Sequence, residues 1–287
     1  TQNVAVGKFA LDAQTTASYN TGAGYNALGA NTTGEENTAV GRIAMQDNTT
    51  GVRNSSFGSG ALENNTTGND NVAIGRDSLK DNTTGGANVA VGNGALDANN
   101  ADNNTAIGHN ALGANTSGTQ NVALGAYALD ANTTASSNTA IGYAALGDNT
   151  TGADLVAVGT NALENNTVGN RNTAVGYFAA YTNSTGDDNT AVGREALYYN
   201  TSGSQHAVLG RGALLSCTTA NYCVAIGHEA LRNNTTSDSN TAVGRTAGYA
   251  VTTGDNNTFV GSSAGDATTT GSRNICIGVA TDADHPT

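Results

Sequence analysis

The sequence predicts an all-β fold, a parallel β-solenoid or β-roll of about seventeen coils with about 17 residues in each. A unit with the consensus N-[TV]-A-[VI]-G-x-x-A-L-x-x-N-T-T-G-x-x recurs from Asn3 to about Gly278. Its fifth residue is always Gly, and its Asn-Thr-Thr-Gly segment has the composition of a turn. With two large apolar residues per unit and repeated Gly, the repeat cannot supply the apolar stripe of a helix.

Each unit is expected to form a short strand, a bend, a second short strand and a turn. We number its positions 1 to 17 from the Asn of the Asn-Thr-Ala-Val-Gly segment. Equivalent positions should stack as ladders about 4.8 Å apart. The invariant Gly at position 5 predicts a positive φ or the close approach of another chain. The unit from Asn88 to Asn104 is one residue short and predicts a local kink in the ladder.

A single repeat solenoid is expected to occupy residues 1–287, with divergent coils and a tail over residues 240–287. In the last two complete coils, Gly248 and Gly265 replace the usual Leu at position 9, and Phe259 fills a position that is usually Ala. These exchanges of large and small side chains predict different packing near this end of the chain.

The first strand of each unit has two distinct faces, because successive side chains point to opposite sides of a strand. Positions 2 and 4 carry Thr or Val followed by Val or Ile, and they are expected to form a thin apolar core. Positions 3 and 5 carry Ala and Gly, as at Ala39 and Gly41, which suits close packing against another backbone. That backbone could be the opposite side of the same coil or a neighbouring chain. The neighbouring chain is favoured, and it predicts a parallel homo-oligomer, most simply a trimer.

The segment Asn-Thr-Ala-Val-Gly at residues 172–176 is followed by a small residue, Ala179, three positions after its Gly. This pattern resembles the head repeats of YadA-type trimeric autotransporter adhesins. With Asn-Thr-Thr-Gly between the expected strands, the longer unit also resembles repeats in bacteriophage tail fibres and bacterial surface fibres. The resemblance covers Asn3 to about Gly278, and it implies a parallel β-roll with three chains intertwined or packed together. The step of about 17 residues departs from the shorter step of the adhesin heads.

Composition limits the partners of the chain. The formal net charge is −12, charged residues make up 12% of the sequence, and Lys occurs at Lys8 and Lys80 alone. An acidic surface poor in Lys argues against nucleic acid, which binds clustered basic residues, and against anionic membranes. No stretch approaches about 18 consecutive apolar residues, so membrane insertion is not expected.

The sequence contains no pattern for catalysis, for a cofactor or for a metal ion. The four His residues occupy scattered places along and around the coils, and no Cys and His pair has the spacing of zinc ligands. The recurring Gly residues lack the Lys of a phosphate-binding loop. A protein without enzymatic activity and without a cofactor is therefore predicted.

Cys217 and Cys223 occupy positions 12 and 1 of adjacent units, where Asn is usual. Two replacements at one junction suggest that these positions lie close together, and they predict a Cys217–Cys223 disulfide. The alternative is a pair of independent buried thiols. A disulfide implies an oxidising compartment, which favours secretion and an extracellular or virion-surface location. Cys276 stands at an Ala position and is expected to be a small buried residue.

Aromatic residues gather in two consecutive units and form the candidate patch for a ligand or partner. The patch consists of Tyr177, Phe178, Tyr181, Tyr198 and Tyr199. Tyr181 and Tyr198 share position 10, so their rings should stack about one strand spacing apart. Exposed Tyr rings suit sugar rings or protein contacts. The alternative is an aromatic ladder that stiffens the solenoid or contacts another chain.

The Asn at position 12 begins an Asn-x-Ser/Thr sequence in many units, which makes it a candidate glycosylation site in a secreted protein. The favoured alternative is that these Asn residues build the turn and that their amides bond along the ladder. The residues concerned are Asn31, Asn48, Asn65, Asn82, Asn115, Asn132, Asn149, Asn166, Asn183, Asn200 and Asn234.

Together these features predict a structural and adhesive extracellular fibre segment, the shaft or head of a phage tail fibre or surface adhesin. An alternative is a filament subunit whose copies stack end to end. An ice-binding or glycan-binding solenoid is less favoured. The expected partners are further copies of the chain and a glycan or protein on a host surface.

Overall fold

The computed structural model describes residues 2–281, so the tail residues from 282 onward, with His285 and Pro286, lie outside the described residues. Seventeen three-residue strands recur along the chain, one in each coil. They are β1 (Val4–Val6), β2 (Thr21–Ala23), β3 (Thr38–Val40), β4 (Ser55–Phe57), β5 (Val72–Ile74), β6 (Val89–Val91), β7 (Thr105–Ile107), β8 (Val122–Leu124), β9 (Thr139–Ile141), β10 (Val156–Val158), β11 (Thr173–Val175), β12 (Thr190–Val192), β13 (Ala207–Leu209), β14 (Val224–Ile226), β15 (Thr241–Val243), β16 (Thr258–Val260) and β17 (Ile275–Ile277).

Within residues 2–138 and within residues 139–281, the strands pair in parallel with their sequence neighbours, and equivalent repeat positions face each other. Val72 pairs with Val89, and Thr173 pairs with Thr190. The chain divides into two compact units, the first ending at Asn138 and the second beginning at Thr139. Strands β1–β8 belong to the first unit and β9–β17 to the second. The predicted all-β parallel solenoid is thus confirmed.

Each coil contains one strand rather than the expected two. Positions 6–11 form consecutive turns, and Leu at position 9 has φ between 48° and 56° in that segment. Positions 7 and 17 are also left-handed, for example at Ile43 and Glu36. A residue other than Gly rarely adopts this conformation. The second strand is absent because the narrow coil turns back on itself through these left-handed residues.

The interior of the coil is built from small side chains. Ala at position 3, Ala at position 8 and Leu at position 9 are fully buried, as at Ala39, Ala44 and Leu62. At Gly22, which stands at position 3, an added Cβ would lie 3.1 Å from the carbonyl oxygen of Ala27 in the same coil. Position 3 therefore packs against the opposite side of its own coil. This confirms the less favoured of the two alternatives for the Ala and Gly face.

The prediction that positions 2 and 4 form the core is wrong. In β3, Thr38 is half-buried and Val40 is exposed, and in β5 the same holds for Val72 and Ile74. The coil is too thin to enclose branched side chains on both sides of its strand. Ala takes the interior, and the larger residues point outward.

The invariant Gly at position 5 has a positive φ and also lies very close to another backbone segment, so both reasons for Gly at this position apply. Its φ lies between 124° and 146°, and its backbone approaches the next coil closely. A Cβ at Gly41 would collide with the carbonyl oxygen of Gly58 in the following coil. The close approach thus comes from the same chain, and any side chain at this position would force the coils apart.

The short unit leaves the strand ladder intact. Val89 in β6 still pairs with Thr105 in β7, because the missing residue is removed from the turn rather than from the strand. The effect falls on the stacked Asn residues at position 12. Asn99 donates its amide to the carbonyl of Ala101, and the buried Oδ1 of Asn82 lacks a hydrogen-bond partner among the described residues. In place of the predicted kink, the short unit therefore lacks one amide hydrogen bond, between Asn82 and Asn99.

Packing changes near the C-terminal coils, as expected, because one large side chain replaces Ala while two Gly residues replace Leu. Phe259 is fully buried at position 3, where other coils have Ala. Its ring lies against the positions of Gly248 and Gly265, and a Cβ at either Gly would collide with that ring. The phenyl ring of Phe259 therefore fills the space that Leu side chains at positions 248 and 265 would occupy.

We expect Gly41→Ala to destabilise the solenoid by at least about 2 kcal/mol, because the methyl group meets a backbone oxygen and φ is positive. The matched control is Gly212→Asn. Gly212 lies at position 7 with a φ of 60°, and Asn26 and Asn110 occupy that position elsewhere at 56° and 50°. The measurement is the denaturation midpoint by circular dichroism. Equal midpoints for the two variants would contradict the close-packing argument.

Candidate functional site

The Asn residues at position 12 form a buried ladder of amides. Asn65 donates from Nδ2 to Oδ1 of Asn48 at 2.7 Å and to the carbonyl of Gly68 in its own turn at 3.1 Å. The same pattern recurs in the second unit, where Asn183 donates to Asn166 at 3.0 Å. The side-chain nitrogens that glycosylation would modify are committed to the interior.

The candidate glycosylation sites are not accessible in the folded chain. Every one of them is fully buried: Asn31, Asn48, Asn65, Asn82, Asn115, Asn132, Asn149, Asn166, Asn183, Asn200 and Asn234. A glycan needs a surface position. The structure confirms the alternative, in which the amides serve the turn and bond along the ladder.

A second buried ladder runs through position 1. The backbone N–H of Asn37 donates to Oδ1 of Asn20 at 2.9 Å, and Nδ2 of Asn37 donates to the carbonyl of Gly51 at 2.7 Å. Positions 1 and 12 of adjacent coils lie close together, as predicted, because Nδ2 of Asn104 reaches Oδ1 of Asn99 at 3.2 Å. Most coils thus carry two buried amides, whose partners lie in their own turn and in the neighbouring coils.

Cys217 and Cys223 stand in these ladders as free buried thiols, so the predicted disulfide is not formed in the structure. The Cys217 thiol lies 3.7 Å from Nε2 of His206 and 3.7 Å from Oδ1 of Asn200. The Cys223 thiol donates to the carbonyl of Ser237 at 3.4 Å. Burial raises the pKa of both thiols, to about 11 for Cys223. The protonated thiols take the places of amides, and Cys276 is a third buried thiol outside any disulfide.

His206 replaces Asn in the position-1 ladder and reproduces part of its bonding. Its Nδ1 accepts a hydrogen bond from the backbone N–H of Cys223 at 3.2 Å. The backbone N–H of His206 donates to Oδ1 of Asn189 at 3.0 Å. Burial lowers the pKa of His206 to about 4, and hydrogen bonds to the backbone of Ala220 and Cys223 oppose that shift in part. The imidazole is therefore neutral near pH 7.

The outward side chains at positions 2 and 4 form the first candidate site, which we call the outward ladder. Position 4 is apolar in every coil, and its members include Val40, 38% exposed, and Ile74, 41% exposed. The seventeen strands, all within residues 2–281, contain no charged residue. The position-4 residues are Val6, Ala23, Val40, Phe57, Ile74, Val91, Ile107, Leu124, Ile141, Val158, Val175, Val192, Leu209, Ile226, Val243, Val260 and Ile277. The sequence shows this pattern, but we expected these side chains to point inward.

The predicted aromatic patch comes together as one cluster in the second unit. Phe178 lies at its centre, with ring centroids 4.3 Å from Tyr177, 4.8 Å from Tyr181 and 5.8 Å from Tyr198. Tyr181 and Tyr198 are 5.2 Å apart with planes at 30°, which confirms the stacking expected from their shared position. Tyr198 also contacts Tyr199 at 4.6 Å.

The cluster borders an open cleft of about 360 Å³, which we call the aromatic cleft. Its lining adds three residues outside the predicted patch, Arg194, Glu195 and Leu215. Arg194 lies 5.8 Å from the ring of Tyr177 and forms an ion pair of 2.9 Å with Glu195. They could have been found, because they occupy positions 6, 7 and 10, the same positions as Tyr177, Phe178 and Tyr181.

Other chemistry finds little support in the described part of the chain. Between residues 2 and 281, no group of three or more His, Cys, Asp or Glu side chains could hold a metal ion. Over the same range, no helix has the length and hydropathy of a membrane span. The outward ladder and the aromatic cleft are the two candidate surfaces.

Comparison with known proteins finds no matching family model, no similar curated protein and no similar solved structure. The resemblance to YadA-type adhesin heads and to tail fibre repeats stays a prediction.

We expect the buried His206 to make stability pH-dependent. Its folded pKa of about 4 lies below the ordinary value of 6.5, so the unfolded chain binds the proton more readily. Stability is therefore full above about pH 6.5 and falls as the pH drops towards 4, by about 3 kcal/mol in total. His206→Asn, which restores the usual residue, should lack this component. The measurement is the difference in denaturation midpoint between the two proteins at pH 7 and pH 5, and parallel pH profiles would contradict the prediction.

Proposed function

We propose that this chain is a non-enzymatic structural segment of an extracellular fibre, and that its copies associate side by side in parallel through the outward ladder. The observation that carries the proposal is the apolar residue at position 4 of every coil, which faces away from the interior. A protein that exposes a continuous series of such residues commonly uses the surface for association.

The architecture of the sheet supports this association. Parallel sheets are normally covered on both faces. Here Ala and Leu of the same coil cover the inner face, as Ala61 and Leu62 show, and no described segment covers the outer face. The half-exposed Thr or Val at position 2 and the branched residue at position 4 resemble the core of an interface, from which charged residues are depleted.

A second copy of the same chain is the occupant that fits the ladder best. A parallel copy presents the same residues at the same spacing, so each rung meets an equivalent rung. The net charge of −12 would oppose the approach of two copies, but the strands themselves carry no charge, and the repulsive groups stay outside the contact. Three copies around an axis would cover every ladder, which is the arrangement that the resemblance to adhesin heads implies.

The repeat resemblance supports a role on a bacterial or virion surface, as the shaft or head of an adhesin or tail fibre. An assembly of such chains is stiff because, within each unit, the coils pair through parallel strands and most of them add amide hydrogen bonds to their neighbours. Such a segment would hold a recognition element away from the surface that bears it.

The proposal is tested with charges placed on the ladder. Val40→Glu combined with Val243→Glu should dissociate the assembly to single chains, because each association would bury unpaired carboxylates at several kcal/mol each. The control is Thr50→Glu with Thr253→Glu, which adds the same charge at exposed turn residues of the same coils. Light scattering gives the mass, and circular dichroism confirms that both variants fold.

The wild type and the turn variant should share one oligomeric mass. A wild type that is monomeric at micromolar concentration would overturn the proposal. Filaments that persist in the ladder variant would instead support end-to-end stacking, with the ladder outside the contact.

A further inference from the structure

We propose that the aromatic cleft binds a neutral sugar ring of an oligosaccharide. The cleft uses positions 6, 7, 10 and 11 of its coils, whereas the outward ladder uses positions 2 and 4. The inference therefore goes beyond the proposed assembly and does not depend on it. It assigns a ligand class to a surface of the second unit.

The apolar part of the site consists of two exposed Tyr rings, each in contact with a half-buried aromatic residue. Tyr177 is 48% exposed and Tyr199 is 51% exposed, so their faces are open to solvent. Phe178 and Tyr198, both half-buried, contact these rings edge-on at 4.3 Å and 4.6 Å. Tyr rings offer a flat apolar surface with few rotatable bonds, which suits the C–H face of a pyranose ring. Because the rings already contact one another, little ordering is left to the binding step.

The polar part of the site supplies donors and acceptors for hydroxyl groups. Arg194 and Glu195 lie in the lining, the first with guanidinium donors and the second with carboxylate acceptors. Among residues 2–281, no hydrogen bond engages the hydroxyls of Tyr177, Tyr198 or Tyr199, which are free to bind in either sense. Burial and the neighbouring Tyr and Glu195 groups raise the pKa of Tyr198, which keeps its phenol protonated.

Charge favours a neutral sugar over an acidic one. The single cation of the cleft is paired with Glu195 at 2.9 Å, so no unpaired positive charge faces the ligand. The chain carries a net charge of −12, which repels sialic acids and uronic acids at a distance. A neutral hexose or N-acetylhexosamine meets neither penalty. The volume of about 360 Å³ suits one ring or two.

A second groove in the same unit provides a comparison. It has a volume of about 390 Å³ and is lined by Arg245, Thr246 and Tyr249 at the same positions as the aromatic cleft. It contains one Tyr, whose hydroxyl already accepts a hydrogen bond from Arg232 at 2.9 Å. A groove thus occurs at these positions in two places of the second unit, and the group of exposed Tyr rings distinguishes the proposed site.

The test is a titration of the intact chain with neutral oligosaccharides of glucose, galactose, mannose and N-acetylglucosamine, alongside sialylated and uronate oligosaccharides. The chain has 10 Tyr and no Trp, so its intrinsic fluorescence reports on the Tyr rings, and calorimetry gives the affinity. The variant is Tyr199→Ala, since Ala30 and Ala131 show that Ala is accepted at position 11. The control is Tyr249→Ala in the second groove.

At least one neutral oligosaccharide should bind saturably, more tightly than its acidic counterparts. Tyr199→Ala should weaken it about tenfold or more, and the control should bind as the wild type does. No saturable binding, equal binding by Tyr199→Ala, or a preference for acidic sugars would each overturn the inference. Light scattering of the same samples reports the assembly separately, so a failure of sugar binding and a failure of side-by-side association are distinguishable.

Discussion

Two buried ladders of asparagine amides are the interaction on which this structure depends. A buried amide that lacks a partner costs about 1–3 kcal/mol, so every coil must place its Asn side chains where the preceding coil and its own turn can bond them. Asn65 meets this condition through Asn48 and Gly68. The constraint favours a constant coil length, because the coil that is one residue shorter leaves the buried Oδ1 of Asn82 without a hydrogen bond.

The interior left between these ladders is so thin that it decides which way the strand faces. Position 3 takes Ala in most coils, Gly alone fits at position 5, and Leu at position 9 fills what remains, at the cost of a left-handed backbone. The branched residues that would form the core of a thicker protein must then face outward. The apolar surface that we propose for association is therefore a consequence of how the coil closes.

The exceptions in the repeat show how the constraint is met by other chemistry. His206 and Cys223 replace amides with an imidazole acceptor and a thiol donor, and Phe259 enters the core where two leucines are missing. The shortened coil leaves Oδ1 of Asn82 without a partner. The Tyr residues of the aromatic cleft differ from these, because they lie on the turn side of the coil and relieve no interior constraint. Because packing of the interior does not require these Tyr residues, ligand binding is the role that we propose for them.

The sequence by itself determined the period, the parallel ladders, the demand for Gly at position 5 and the gathering of the Tyr residues, because all of these follow from identical positions stacking coil on coil. It could not decide which face of the strand is inside, since alternation separates two faces without saying which one the coil encloses. The single strand per coil, the burial of the Asn-x-Ser/Thr asparagines and the free thiols of Cys217 and Cys223 were likewise decided by the tertiary structure. In each case the outcome depends on the width of the closed coil, a property that the left-handed residues at positions 7, 9 and 17 create together and that no single repeat position carries.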